Sequence, residues 1–388
     1  MTSLKVTLLQ WATARPAAFI GHLPPAGPEL IGAGAKISAA SMRPTLVRVA
    51  DATMQGWDER YEIYRGDLLA HCYRMLGSVQ EAEDLVQETF LRAWQAADRY
   101  QPERASIRTW LHRIATNACL TALRGRTRRP LPSGLGPAGD DPYVPLIPNL
   151  DVAWLQPFPD ARLGDPADAV QQRAGLRLAF IAALQLLPAR QRAVLVLREV
   201  LQLPAAEVAD LLGSSVASVN SGLQRARATL RATGPVLTEL REPSDPDERA
   251  VVERYLAAFE AADIAALSRL LAEDVELEMP PVALWLAGRA HYREFIQRVF
   301  AMRGAGWRLQ SVRANNSPAL AAYVPDPVSG AMRAHSLQLF TVAGGLIRRC
   351  VTFVDPAVFD LFGLPATASA AELDREVTMR PDRPPARA

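Results

Sequence analysis

Cysteine is scarce: Cys72, Cys119 and Cys350 are the three in 388 residues, far apart and outside any CxxC or Cys/His cluster. That pattern excludes a disulfide framework and a zinc site, and it fits a reducing cytoplasm. No stretch approaches the roughly 20 uninterrupted apolar residues of a membrane span. A soluble, cytoplasmic chain with no membrane partner is expected. Lys5 followed by a short apolar run broken by Gln and Thr reads as a poor signal peptide. Net charge is close to nil, +2 at pH 7, so bulk charge does not mark a nucleic-acid binder, and the informative feature is where the charges sit.

What the chain has is length and apolar content. At 388 residues, with 49% hydrophobic, it builds two or three cores. Residues 1–55 are rich in Ala, Gly and Pro and read as a disordered extension. Helical patterning begins only after Trp57, which leaves Met42 and Met54 open as alternative starts. From 56 to 129 three apolar stripes recur at helical spacing: Leu68, Leu69, Cys72, Met75 and Leu76; then Leu85, Val86, Phe90 and Trp94; then Ile107, Leu111, Ile114 and Ala118. Gly77-Ser78 and Tyr100-Gln101-Pro102 break them apart. Residues 130–167 are rich in Pro, Gly and Asp and read as a linker. Within it, Trp154-Leu155-Gln156-Pro157-Phe158-Pro159-Asp160 is too apolar for an inert tether.

A second all-α block, 168–234, is cut into four helices by Pro188, Pro204 and Gly213. Its last pair, a short helix, the turn Gly213-Ser214-Ser215 and a stripe of Val216, Val219, Leu223, Ala226 and Leu230, is a helix-turn-helix pattern. From 247 to 363 the texture becomes α+β. Two helical runs precede alternating strands at 275–279, 307–313, 320–324, 336–342 and 346–354, bounded by Gly, Pro and Asn. Residues 364–388 read as a disordered tail.

Charge in the first block is polarised. Asp58, Glu59, Glu62, Asp67, Glu81, Glu83, Asp84 and Glu88 dominate its first half. Between Arg104 and Arg129 there is no acid at all. One face thus suits phosphates and another a protein. Trp110 stands among the arginines, and two readings stay open for it: a stacking platform for an unstacked nucleotide, or core beside Leu111 and Ile114.

The segments 82–94 (AEDLVQETFLRAW) and 109–117 (TWLHRIATN) resemble region 2 of extracytoplasmic-function sigma factors, and 187–230 (LPARQRAV onward) is similar to their region 4. The resemblance implies a non-enzymatic promoter-specificity subunit with no cofactor and no metal. Asp84, Leu85, Gln87, Glu88 and Phe90 would grip the clamp coiled coil of the largest subunit of core RNA polymerase. Arg108, Trp110, Arg113, Asn117, Arg124, Arg126, Arg128 and Arg129 would melt and read the −10 element. Ser218, Asn220, Ser221, Gln224, Arg225 and Arg227 would face the −35 element, with Asn and Gln suited to adenine and Arg to guanine or phosphate. Asn220 and Gly222 stand where that family commonly has a Lys and an Arg, which implies weaker phosphate anchoring.

Promoter boxes some twenty base pairs apart lie roughly 70 Å apart, whereas a flexible tether of about 40 residues averages ~35 Å. The linker must therefore be stretched in the working complex, and Trp154, Pro157 and Phe158 are the expected anchor on polymerase. The 247–363 segment resembles the SnoaL-like cone. It is expected to contact the sigma domains and act as a built-in regulator. An alternative is a ligand-responsive cone, with His291, His335, Glu278 and Asp355 as an acid/base set and Trp285 and Met279 as an apolar rim. A stand-alone helix-turn-helix repressor is the other rival.

Overall fold

The computed structural model describes residues 61–163, 175–232 and 246–378. The expectations for 1–55, for 168–174, for the connection after region 4 and for 379–388 lie outside the described residues. Three helices form the first block: α1 (Arg65–Leu76), α2 (Val79–Gln95) and α3 (Ile107–Ala122). Gly77 ends α1 with φ +69°, a left-handed turn that disfavours a side chain. Ser78 then caps α2 by accepting the Glu81 amide. The second block holds α4 (Leu178–Gln185), α5 (Ala189–Leu195), α6 (Ala205–Leu211) and α7 (Val216–Ala232), with α5 running on into a π-helical turn at Val196–Val200.

The α+β block opens with α8 (Pro246–Glu260) and α9 (Ile264–Leu270), followed by β1 (Leu271–Glu278), β2 (Trp285–Ala287) and α10 (Arg289–Arg303). Four long strands complete the sheet: β3 (Arg308–Ala314), β4 (Ser317–Pro325), β5 (Met332–Ala343) and β6 (Leu346–Phe353). Its order is β2-β1-β6-β5-β4-β3, antiparallel except for the β1–β6 pair. The tail corrects the sequence expectation. Beyond Leu364, β7 (Thr367–Ala368) pairs with β5, and α12 (Ala370–Thr378) follows, with Leu373 buried. Polar spacing concealed this order, because one buried leucine and a two-residue strand leave no periodic signal.

Strand alternation decides how the modules join. Leu320, Ala322, Phe340, Val342 and Cys350 face α8 and α10, where they pack with Tyr255, Phe259, Tyr292 and Trp307. The opposite face, carrying Ala319, Ala321, Leu337, Leu339, Val351 and Phe353, belongs to the same apolar cluster as α1, α4, the linker and α11 (Ala357–Leu361). The cone's outer sheet face and the helical modules therefore share one continuous core.

Candidate functional site

On α2, Asp84 and Gln87 are exposed and Leu85, Glu88 and Phe90 half-buried. Phe90 lies beneath the Arg65 guanidinium, 5.4 Å from its ring centroid, whereas Leu91, 46% exposed, extends the outward stripe of Asp84, Gln87 and Glu88. Leu91 is not in the set expected from the sequence, which takes the aromatic Phe90 as an apolar member.

The residues expected at the −10 element are divided among several different partners. Ser106 caps α3 by accepting the Thr109 amide at 3.1 Å, fixing the turn before Trp110. Trp110 is half-buried against Tyr100, with centroids 5.0 Å apart. Asn117 and Arg124 are exposed. Arg108 bonds Asp67 at 2.5 Å, and Arg126 and Arg129 share Glu81 at 2.6 and 3.0 Å. Arg128 donates to the Gly134 carbonyl, and Arg113 reaches Asp210 on α6 at 3.0 Å.

Beneath this surface lies a buried polar layer. His71 meets the Thr116 hydroxyl at 2.9 Å and His112 the Arg108 carbonyl at 2.8 Å. Burial, with the charges of His112, Arg74 and Arg108, pushes His71 well below its usual range. Burial also lowers His112, although Asp67 opposes it. For Asp67, burial alone would raise the carboxyl, but the Arg108 hydrogen bond and the nearby His112, Arg108 and Arg74 charges outweigh it and hold it low.

On α7, Ser218, Asn220, Ser221, Gln224 and Arg225 are exposed. Arg227 is half-buried and paired with Glu199. Gly222 faces Val194, whose carbons lie 3.7–3.9 Å from where a Cβ would stand. Gly222 is therefore a packing contact of α7 against α5. Arg190 donates to the Leu212 carbonyl at 3.0 Å and so ties α5 to the helix-turn-helix corner.

The linker carries the largest departure from expectation. Pro157 and Phe158 are buried inside the protein and Trp154 is half-buried, instead of standing free for polymerase. Gln156 receives the Ser78 hydroxyl and the Val79 amide at 2.9 Å each, while its carbonyl accepts Tyr73 Oη at 2.7 Å. Asn315, at the β3–β4 turn with φ +53°, exchanges both backbone-directed bonds with Phe158 at 2.8 Å. Its Nδ2 donates to Tyr73 Oη at 2.9 Å and to the Leu176 carbonyl at 2.7 Å. One asparagine thus joins α1, the linker, the segment leading into α4, and the cone. The signal was present: Asn-Asn between two strand runs marks a tight hairpin, though nothing local said what its tip would meet.

A second clasp is Arg192, buried on α5. It donates to the Met75 carbonyl at the end of α1, to Gln185 Oε1 at 2.8 Å, and to the carbonyls of Gln185 and Leu187 at 3.2 Å. Burial pushes its guanidinium down to about 10.

The suggested acid/base set of the cone is dispersed among other duties. Glu278, fully buried, accepts the Ser133 amide of the linker at 2.8 Å and binds Arg349. His291 meets the Ala287 carbonyl at 2.8 Å, and Asp355 accepts the Ala357 amide at 3.0 Å. His335 stacks edge-on against Trp307, with centroids 4.8 Å apart, and burial and then Arg303 lower its pKa. Trp285 donates to the Gly136 carbonyl at 2.9 Å, so the proposed rim holds linker. Among the described residues no helix is long and apolar enough to cross a membrane, and no group of three or more His, Cys, Asp or Glu is placed to hold a metal ion.

Comparison with known proteins finds the Sigma-70 region 2 family over residues 60–129, Sigma-70 region 4 over 177–230 and a SnoaL-like domain over 252–350. The chain is 46% identical over 320 residues to the ECF RNA polymerase sigma factor SigG of Mycobacterium tuberculosis, covering 81% of this chain and 86% of that one. The chain belongs to the extracytoplasmic-function family of RNA polymerase sigma factors. It is also 32% identical over 221 residues to SigJ of the same organism, covering 55% of this chain and 62% of that one. The crystal structure of M. tuberculosis SigJ superposes with TM-score 0.55 at 26% identity, covering 79% of this chain and 99% of that one. That share is too large for the helical modules alone. This sigma factor binds core RNA polymerase and promoter DNA, and it is not an enzyme.

Proposed function

We propose that the arrangement described is the closed, resting form of a cytoplasmic sigma factor, held shut by its own cone and linker. In this reading the α2 stripe of Asp84, Leu85, Gln87, Glu88 and Leu91 grips the polymerase clamp coiled coil. Trp110, Asn117, Arg113 and Arg124 act at the −10 element, and the exposed face of α7 reads the −35 element. The observation that carries the closed form is Asn315, which holds α1, the linker and the cone together. Arg113–Asp210 and Arg192–Met75 further keep regions 2 and 4 in contact, whereas reading both boxes requires roughly 70 Å between them.

Run-off transcription with core polymerase on promoter fragments tests the reading. The chain should give discrete transcripts that D84K/E88K abolishes, and N315G should raise the yield. Absence of transcripts from wild type and N315G alike, with both folded, would refute it and revive the stand-alone DNA-binding alternative.

A further inference from the structure

Glu83 lies on α2 one residue before Asp84 and four before Gln87, at the border of the stripe assigned to polymerase. Its carboxylate accepts a hydrogen bond from one terminal nitrogen of Arg162. The other terminal nitrogen donates to the carbonyl of Leu361, the last residue of α11 in the cone, at 3.2 Å. Arg162 belongs to the short turn Asp160–Leu163. In that turn Asp160 accepts the Asn316 amide at 2.8 Å and faces Arg313 at 3.4 Å. Two residues earlier is Phe158, the partner of Asn315. A single short segment therefore joins the edge of the polymerase stripe to the cone at three points.

We propose that Arg162 couples polymerase docking to release of the cone, an inference that rests on the closed-form reading. A basic partner surface arriving on Asp84 and Glu88 also attracts the neighbouring Glu83, competes with Arg162 for its carboxylate and repels the Arg162 guanidinium. Arg162 then keeps only the Leu361 carbonyl, and the turn that positions Asp160 and Phe158 against the cone loses its tie to α2. Both side chains of the pair are partly exposed, 40% for Arg162 and 31% for Glu83. Solvent screening keeps the coupling modest, roughly two- to fivefold in affinity. By reciprocity, closure of the cone weakens polymerase binding by the same factor.

The test uses the full chain with one dye on V328C, 94% exposed on the cone, and another on T121C at the exposed end of α3. The three native thiols are buried, so labelling is selective. Titration with core polymerase should lower energy transfer in the wild type. R162Q should start from lower transfer and bind polymerase two- to fivefold more tightly. E83Q breaks the same bond from the other end, so its transfer without polymerase must fall as that of R162Q does. Should wild-type transfer fall while both variants match wild type in starting transfer and R162Q matches it in affinity, the coupling is wrong and the closed form stands. Should polymerase bind the wild type with no change in transfer, the closed-form reading fails and this inference with it.

Discussion

Asn315→Gly removes the amide that joins the modules while keeping the backbone at ease, because glycine accepts the φ of +53° without strain. Three side-chain bonds are lost: from Phe158 N–H, to Tyr73 Oη and to the Leu176 carbonyl. Asn315 is fully buried, so these groups stay dry unless the interface opens. At about 1 kcal/mol per bond the interface is weakened by about 3 kcal/mol. N315A loses the same bonds and adds about 1 kcal/mol for a Cβ in the left-handed region. Hydrogen exchange reads the effect directly. The Phe158 and Gln156 amides, which pair with Asn315 and with the Gly77 carbonyl, should exchange about a hundredfold faster in N315G. Amides inside the β4–β5 ladder should be unchanged. If Phe158 exchanges at the wild-type rate in a folded N315G, the reasoning that this asparagine holds the modules together is wrong.

Acid should weaken the chain through its buried histidines. The unfolded imidazoles titrate near 6.5, whereas His71 and His112 are held lower in the fold. Stability is therefore full above pH 6.5 and falls as pH drops below it, by up to about 1.4 kcal/mol per pH unit for each histidine. Asp67, also held low, adds loss of the same sign only below the ordinary carboxylate range, so urea midpoints from pH 7.5 to 5 would record the histidines and their extension to about pH 3 would add Asp67. Glu278→Gln leaves the Arg349 guanidinium without its buried carboxylate and weakens the Ser133 contact. About 3 kcal/mol of destabilisation is expected in a denaturant titration. Arg192→Met strips the donors from the Met75 and Leu187 carbonyls. A loss of about 2 kcal/mol and faster exchange at the end of α1 should follow.

The modules themselves were legible in the chain. Apolar residues three and four apart bury one face of a helix wherever it docks, so Leu68, Cys72 and Met75 or Val219, Leu223 and Ala226 declare their helices locally. Gly77, Ser78 and Gly213 mark turns by backbone need alone, and the strands of the cone showed through their alternation. The exposed α7 face, with Asn220 and Gln224, could likewise be read from helical phase. Partnership could not. Trp154 to Asp160 announced an apolar docking segment, but its surface turned out to be Tyr73 and Asn315, distant in sequence and brought together only by the fold. The neighbours of Phe90 and Gly222 were hidden for the same reason, since Arg65 lies over one and Val194 meets the other across helix boundaries. Periodicity reports which side of an element is buried. What buries it is decided by long-range packing, and here that packing merged the outer face of the cone, the linker and two helical modules into one core.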